Sequence, residues 1–267
     1  MTSDQSSAST PDRRIALLID ADNISHQKAA AILGELSKYG TTNIRRAYGD
    51  WTSAGLKGWR DKLHSLAIRP IQQFSYSTGK NATDIALVID AMELLYTQKP
   101  NAFCIASSDA DFTPLIMQLK ANGHDVYGFG ERKTPEPFVN ACTTFLYLDS
   151  LADPEDASIA GPAVAIAAKA GKSANGGPAA SLANDTALVT ALRGGVEAAA
   201  REDGWALVSA AGHAVKRLAP IDPRNYGART FTTLFEATGL FEVVKGANGH
   251  PHVSDKRNPE RTEQPSQ

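Results

Sequence analysis

The first half of the chain alternates short apolar runs with segments whose apolar residues recur at helical spacing. The runs Ala16–Ile19 and Phe103–Ala106 are apolar throughout, which is typical of strands buried on both faces of a sheet. Repeated strand–helix units of this size predict an α/β fold, an open and mainly parallel sheet with helices on both faces. The predicted strands are Arg14–Ile19, Asn43–Tyr48, Ile68–Phe74, Ala102–Ser107, His124–Phe129 and Thr144–Leu148. The predicted helices are His26–Tyr39, Leu56–Leu66, Asn81–Thr97, Pro114–Asn122 and Pro137–Ala141. In the longest helix we expect an apolar side made of Ile85, Val88, Ile89, Met92 and Leu95.

The pattern changes near residue 150. Residues 13–150 form the predicted first domain, and residues 151–184 are rich in Ala, Gly, Ser and Pro, which indicates a flexible linker. Residues 185–254 again alternate helical segments with a hairpin pattern and predict a small winged-helix-like domain. The charged tail, residues 255–267, is expected to be loose.

Composition narrows the class of protein. A chain of 267 residues suggests about two domains, and 42% hydrophobic with 21% charged residues excludes wholesale disorder. No run reaches the ~18–20 apolar residues of a membrane helix, and the polar N-terminus does not resemble a signal peptide. The formal net charge of -2 requires any nucleic acid to be bound by local basic patches. Cys104 and Cys142, without a CxxC motif, indicate reduced thiols in a cytoplasmic protein.

Carboxylates follow the two most apolar strands. Asp20 ends the first strand, and Asp109 and Asp111 follow the fourth. In open parallel sheets, ligands bind outside the carboxyl ends of the strands. Asp84, in the first turn of the long helix, adds a further carboxylate, and Asn23 an uncharged oxygen. Hard oxygen ligands favour Mg²⁺ or Mn²⁺ over Zn²⁺, so we predict a divalent cation here.

Each acid also has a purely structural interpretation. Asp84 could complete a capping arrangement with Asn81 as N-cap, and Asp109 or Asp111 could cap the next helix. At that helix, however, Thr113 already looks like the N-cap. Asp22 could point elsewhere, and Asp90 is expected to be a solvated or packing residue. Only convergence of the acids favours a site.

Nucleic acid that approaches an acidic centre needs cations around it. The candidates for phosphate contact are Arg45, Arg46, Lys57, Arg60, Lys62, Lys80 and the loop Glu131-Arg132-Lys133. Trp51, Trp59 and Tyr76 could stack on bases. The alternative is that the cations are merely solvated and that Trp59 packs in the core.

Several segments, in this order, resemble the NYN domain family, the PIN-like ribonucleases of the LabA/DUF88 type. They include ALLIDADNIS, RRAYGDW, TDIALVIDAM, ASSDADFTPL and VYGFGERKTPEPFVNAC, and the resemblance covers about Arg13 to Asp149. It implies a fold like that of PIN and FLAP nucleases. It also implies that Asp20, Asp84, Asp109 and Asp111 coordinate a divalent metal for hydrolysis of RNA phosphodiesters. Asn23 matches the family's asparagine beside the first acid.

The segment WALVSAAG, followed by DPRNYGARTFTTLFEATGLFEV, resembles the OST-HTH/LOTUS domain. This resemblance implies binding of RNA or docking of a protein partner. Arg224, Asn225 and Arg229 are the candidates for contact.

The preferred function is therefore a metal-dependent ribonuclease, an endonuclease, with a tethered module that binds RNA or a partner. The leading alternative is a non-catalytic RNA-binding or regulatory adaptor that kept the fold. A distant third is a phosphatase similar to haloacid dehalogenases, with Asp20 as nucleophile in an Asp-x-Asp motif. Ile24 and the spacing of the later acids depart from that pattern.

Overall fold

A computed structural model describes residues 13–74, 81–151, 182–246, 249–259 and 261–265. Most of the predicted linker (152–181) lies outside these ranges, as do Tyr76 and Lys80. The chain divides into two compact units: among the described residues, the first contains 13–142 and 151, and the second contains 143–150 and those from 182 onward. Each unit is described by itself.

The elements follow the predicted order. The strands are β1 (Arg14–Asp20), β2 (Thr41–Gly49), β3 (Arg69–Gln72), β4 (Ala102–Ala106), β5 (Asp125–Gly130), β6 (Thr144–Tyr147), β7 (Ala206–Leu207), β8 (Phe241–Lys245) and β9 (Pro251–Asp255). The α-helices are α1 (Ala29–Leu36), α2 (Trp59–Ser65), α3 (Ala82–Thr97), α4 (Thr113–Ala121), α5 (Glu136–Ala141), α6 (Thr186–Ala199), α7 (Val208–Leu218) and α8 (Phe231–Thr238). Short 3₁₀ turns occupy His26–Lys28, Ala54–Leu56, Ala110–Phe112, Leu148–Ser150 and Pro223–Tyr226. None of the helices in the described ranges is long and apolar enough to cross a membrane.

The large sheet has six strands in the order β3-β2-β1-β4-β5-β6. β1 pairs in parallel with both β2 and β4, and the pairs β2–β3 and β4–β5 are also parallel. The predicted α/β class is therefore confirmed. The strand order reverses at β1 and β4, the two strands that sequence singled out as fully apolar, and both are buried from the first apolar residue onward. Ile19 lies opposite Ala106, so the residues that leave these two strands are neighbours.

The apolar side predicted for α3 is only partly buried. Ile85 and Ile89 are 59% and 62% exposed, whereas Leu95 is buried, as are Leu87, Ala91 and Leu94 from outside the predicted row. α3 packs on β1 and β2. Both rows have helical spacing, and apolar character alone does not choose between them.

The second unit contains α6, α7 and α8 beside a three-stranded antiparallel sheet in the order β7-β9-β8. Its helices and hairpin match the prediction, but the short strand β7 was not predicted. Side chains cap the first turns of α6 and α8. At α6, the Asp185 carboxylate accepts a 3.0 Å hydrogen bond from the backbone of Leu188. Thr230 and Thr233 form a capping box at the start of α8.

The tail is packed, not loose, over its described residues. The indole Nε1 of Trp205, a side chain with no exposed surface, donates to the backbone oxygen of Thr262 at 3.0 Å. The Arg261 guanidinium lies over the same ring, 5.5 Å from its centroid. Asp255 is ion-paired with Arg193 of α6 at 2.9 Å. A buried indole N–H needs an acceptor, and the tail supplies it.

Candidate active site

The carboxyl end of β1 holds a buried carboxylate. Asp20 has no exposed surface, and its Oδ2 accepts hydrogen bonds from the Asn23 amide at 2.6 Å and from the Ser107 hydroxyl at 2.7 Å. The backbone of Asn23 also donates to Oδ1 at 3.3 Å. Asn23 therefore lies where the sequence predicted it, against the first acid. Ser107, directly after β4, was not predicted as a partner; both bonds fix the orientation of the Asp20 carboxylate.

Asp84 shows that the acids converge. Partial burial, together with the negative charges of neighbouring carboxylates, raises the pKa of Asp84 to about 6. In order of effect, these neighbours are Asp20, Asp109, Asp22 and Asp111. The capping interpretation does not account for this residue, because Asn81 at the N-cap of α3 makes no side-chain capping bond. The Asn81 amide instead donates to Asp111 at 3.2 Å.

Asp109 combines a structural and a candidate chemical role. Its Oδ1 accepts a 2.9 Å hydrogen bond from the backbone of Asp111 and so caps the 3₁₀ turn that leads into α4. Thr113, predicted as the N-cap of α4, is already inside the helix, and Phe112 is the N-cap. The Asp109 backbone donates to the Ser107 hydroxyl at 3.1 Å. Ser107 thus joins the residues after β4 to Asp20.

Two further aspartates close to these acids, Asp22 and Asp50, were not predicted as site residues. Partial burial raises the pKa of Asp22, the charge of Asp20 raises it further, and a hydrogen bond from Thr83 opposes the shift. Asp50, which follows β2, also raises the pKa of Asp22. Asp50 could have been found from sequence, since it ends the strand beside β1. No comparable feature of the sequence predicts which way the Asp22 side chain points.

We call the group Asp20, Asp22, Asp84, Asp109 and Asp111 the acidic edge. All of its donors are carboxylate oxygens, the ligands that Mg²⁺ and Mn²⁺ prefer, and their charges repel one another. Among the residues that the structure describes, no three His, Cys, Asp or Glu side chains are grouped closely enough to hold a metal. The donor chemistry therefore fits a divalent cation, but the ligands are not preassembled around one point.

The predicted basic residues have different positions. Arg46 lies two residues before the end of the β1–β2 pairing and is ion-paired with Asp90 of α3, so it is not at the acidic edge. The Tyr48 hydroxyl donates to the same carboxylate. Asp90 is thus a packing residue, one of the two roles that we predicted for it. Arg45 donates to the backbone oxygens of Thr42 and Leu66 at 3.1 and 2.9 Å, which is a structural role.

Other cations remain near the ends of the strands. Lys57 and Arg60 are exposed and line a cavity together with Trp51. Arg132 is exposed on the loop after β5, and the backbone of Glu131 in that loop donates to the Ser108 hydroxyl at 2.8 Å. Trp59 is only 1% exposed and packs in the core, which excludes it from base stacking.

In the second unit, the three predicted contact residues differ, and the Asn225 amide donates to the backbone oxygen of Phe145 at 2.8 Å. Arg224 forms a bidentate pair with Asp222, and Arg224 holds the pKa of that buried carboxyl below its usual value against the effect of burial. Arg229 is exposed. Sequence reasoning missed a cavity of about 510 Å³ lined in part by three arginines, Arg193, Arg201 and Arg257.

Comparison with known families now places the chain. The first fold is an α/β domain built on a mainly parallel sheet, as predicted. The NYN domain family matches residues 14–149, and the OST-HTH/LOTUS domain matches residues 182–253. The chain belongs to the NYN domain family, a family of PIN-like nucleases, and carries an OST-HTH/LOTUS domain, an RNA-binding module.

Two individual proteins are similar to this chain. The uncharacterized protein MJ0482 of Methanocaldococcus jannaschii is 29% identical over 123 residues, which are 45% of this chain and 48% of that protein. The chain thus spans about half the length of this relative. A protein of unknown function, VPA0982 of Vibrio parahaemolyticus, has a crystal structure that is similar with a TM-score of 0.43 and 16% identity, over 55% of this chain and 96% of that one.

Proposed function

We propose that the first unit is a metal-dependent ribonuclease that cleaves RNA internally. The proposal is carried by one observation, the electrostatic proximity of five aspartates from three separate segments: the residues after β1, the first turn of α3 and the residues after β4. Such a collection is unfavourable for folding in the absence of a cation, because like charges at short range repel. Family membership supports the same chemistry.

Asp20, Asp84, Asp109 and Asp111 would hold Mg²⁺ or Mn²⁺. When bound, the cation supplies an activated water and stabilises the charge that develops on the phosphate. Asn23 and Ser107 orient Asp20 through hydrogen bonds of 2.6 and 2.7 Å.

The neighbouring residues prepare the rest of the edge. Asn81 orients Asp111, and the capping bond uses one oxygen of Asp109, which leaves the other available. The carboxylates would repel RNA phosphates unless neutralised. Exposed Lys57, Arg60 and Arg132 are the described cations that would attract the strand.

The second unit would raise the local concentration of RNA, or of a protein partner, at the first unit. Arg229 remains the candidate contact residue there, since Arg224 is held by Asp222. Cys104 and Cys142 are unpaired and buried, which supports the expectation of a cytoplasmic location.

The decisive experiment compares cleavage of single-stranded RNA by the wild type, Asp20→Asn and Asp109→Asn in Mg²⁺, Mn²⁺ or EDTA. Glu93→Gln is the matched control, because Glu93 is exposed on α3 and is not part of the acidic edge. We expect cleavage by the wild type and Glu93→Gln only, and only with metal. A circular RNA substrate tests internal cleavage. Equal cleavage by all variants would indicate contamination, and metal-independent binding without cleavage would support the adaptor function.

A further inference from the structure

A cavity of about 230 Å³ lies next to β2 and β3 in the first unit. Its lining residues, which define the Trp51 cavity, are Trp51, Leu56, Lys57, Arg60, Leu63 and Pro70. Three apolar side chains and a tryptophan thus lie beside two exposed cations. A volume below the ~300 Å³ of drug-sized sites suits one planar ring and not a larger ligand.

The Trp51 cavity adjoins the acidic edge. A methyl group built on Gly49 would be 2.5 Å from the Leu56 side chain and 3.7 Å from an oxygen of Asp22. Leu56 of the cavity and Asp22 of the edge therefore approach the same point at the end of β2. Trp51 follows Gly49 by two residues, directly after Asp50.

The aromatic wall is held in a fixed orientation. The Trp51 indole Nε1 donates to the backbone oxygen of Ile71 at 3.0 Å, and its backbone N–H donates to the Gln72 side chain at 3.0 Å. Gln72 in turn donates to Asp50 at 2.9 Å. With its N–H satisfied by β3, the half-buried ring presents an apolar surface to the cavity. A preorganised ring loses little entropy when a second ring stacks on it.

We propose that the Trp51 cavity binds one base of single-stranded RNA, with the adjoining phosphates on Lys57 and Arg60. An aromatic face beside cations is the combination by which single strands are bound without sequence preference. The inference rests on the proposed function, because the subsite would hold the RNA strand that the acidic edge cleaves. The Trp51 cavity would then mark the side from which the strand reaches the edge. The strand would lie across the ends of β2 and β3.

Binding measured without catalysis tests the subsite. A fluorescently labelled, 2′-O-methylated RNA of about eight nucleotides is titrated with the full chain in EDTA, and anisotropy gives the Kd. We expect Trp51→Ala to weaken binding about 10-fold and Trp51→Phe about 3-fold at most, because phenylalanine still stacks. Since Trp51 contacts β3, circular dichroism must show that both variants fold.

The cations provide a second and independent test, because Lys57 and Arg60 are exposed and their loss leaves the core intact. We expect Lys57→Ala with Arg60→Ala to reduce the slope of log Kd against log salt by about 1.4, the value for two phosphates on a single strand. Lys62→Ala is the control, because Lys62 lies on α2 with Arg60 but does not line the cavity. Its slope should change by less than half as much.

The outcomes separate the two proposals. Wild-type affinity in Trp51→Ala, or equal slopes for the Lys57/Arg60 and Lys62 variants, would overturn the subsite, whether or not the protein cleaves RNA. Binding that depends on Trp51, in a chain that cleaves no RNA with Mg²⁺ or Mn²⁺, would support the subsite and overturn the hydrolysis proposal. Absence of RNA binding by the wild type would overturn the subsite.

Discussion

Asp84 and Asp90 lie on the same helix, six residues apart, in opposite electrostatic surroundings. Asp90 is paired with Arg46 and accepts a hydrogen bond from Tyr48. Asp84 faces carboxylates, which together with burial raise its pKa to about 6. Both residues are aspartates of α3, and the difference between them comes from the residues that surround each one in the fold.

The difference shows which acids the fold uses for its own stability. The middle of β2 carries a cation and a hydroxyl for the acid that packs on it, so Asp90 is neutralised within the protein. At the acidic edge, the polar partners of Asp20 are an amide and a hydroxyl, which orient a carboxylate without cancelling its charge. An arrangement of this kind favours a ligand that brings positive charge.

The largest effect should appear in catalysis. We expect Asp84→Asn to lower RNA cleavage about 100-fold or more, through loss of a ligand to the cation. Asp90→Asn should lower it less than about 3-fold, since its amide oxygen can still accept from Arg46 and its NH2 can donate to the Tyr48 hydroxyl. The rates are measured with saturating Mn²⁺ on one RNA. Equal losses of cleavage rate in Asp84→Asn and Asp90→Asn would contradict the different roles assigned to these two residues.

For stability, in contrast to catalysis, we expect Asp90 to be the more important of the two residues. Asp90→Ala should lower the free energy of unfolding by about 2 kcal/mol, because it leaves the guanidinium of Arg46 and the hydroxyl of Tyr48 without their partner. Hydrogen–deuterium exchange of β1 and β2 in the whole chain measures the loss locally. Asp61→Ala, at an exposed position of α2, is the control and should change stability by less than about 0.5 kcal/mol. A similar loss in both variants would contradict the pairing.

Removal of the unneutralised charge should stabilise the protein. In EDTA at pH 7.5, we expect Asp84→Asn to raise the free energy of unfolding by roughly 1 kcal/mol, after allowance for solvent screening of this partly exposed group. Mn²⁺ should then stabilise the wild type more than the variant, because the cation binds the folded edge. Thermal unfolding with and without metal measures both changes. A destabilised variant in EDTA would show that the carboxylate has a structural role.

The smallest effect is in the dependence on pH. Because the folded pKa of Asp84 is about 6 and its ordinary value is 3.8, the folded protein binds more protons than the unfolded chain between these values. Stability therefore falls as pH rises through this window, and above it the destabilising effect of this group stays constant with pH. We expect the advantage of Asp84→Asn to shrink by roughly 0.5 kcal/mol for each pH unit from 6 to 4. Urea unfolding of both proteins across this range gives the difference.

The sequence predicted the parts of the fold that depend on local pattern. Strand order could not be read directly, but the apolar runs marked β1 and β4 as central, and their ends carried Asp20 and Asp109. The convergence with Asp84 followed from the rule for parallel sheets. These predictions needed only backbone direction, which alternation of strands and helices determines.

Predictions that depended on side-chain direction were less successful. The pattern could not tell that Arg46 faces Asp90, or that α3 buries Leu87 and exposes Ile85, since both choices have the same periodicity. The expectation of a loose tail differs from the structure for another reason. Its composition is polar, and its ordering depends on a backbone oxygen of Thr262 that meets Trp205, a contact between residues 57 positions apart.

That contact has a practical side for anyone who wishes to isolate the smaller unit. The family match stops at residue 253, ahead of Ser254, whose hydroxyl donates to Gly204 at 2.7 Å inside the protein. A fragment that ends at residue 253 would lack the Thr262 oxygen that accepts from the Trp205 indole N–H. It would also lack the Asp255 carboxylate that neutralises Arg193. Excision through residue 265 keeps these anchors, and the tryptophan's emission would report whether they have formed.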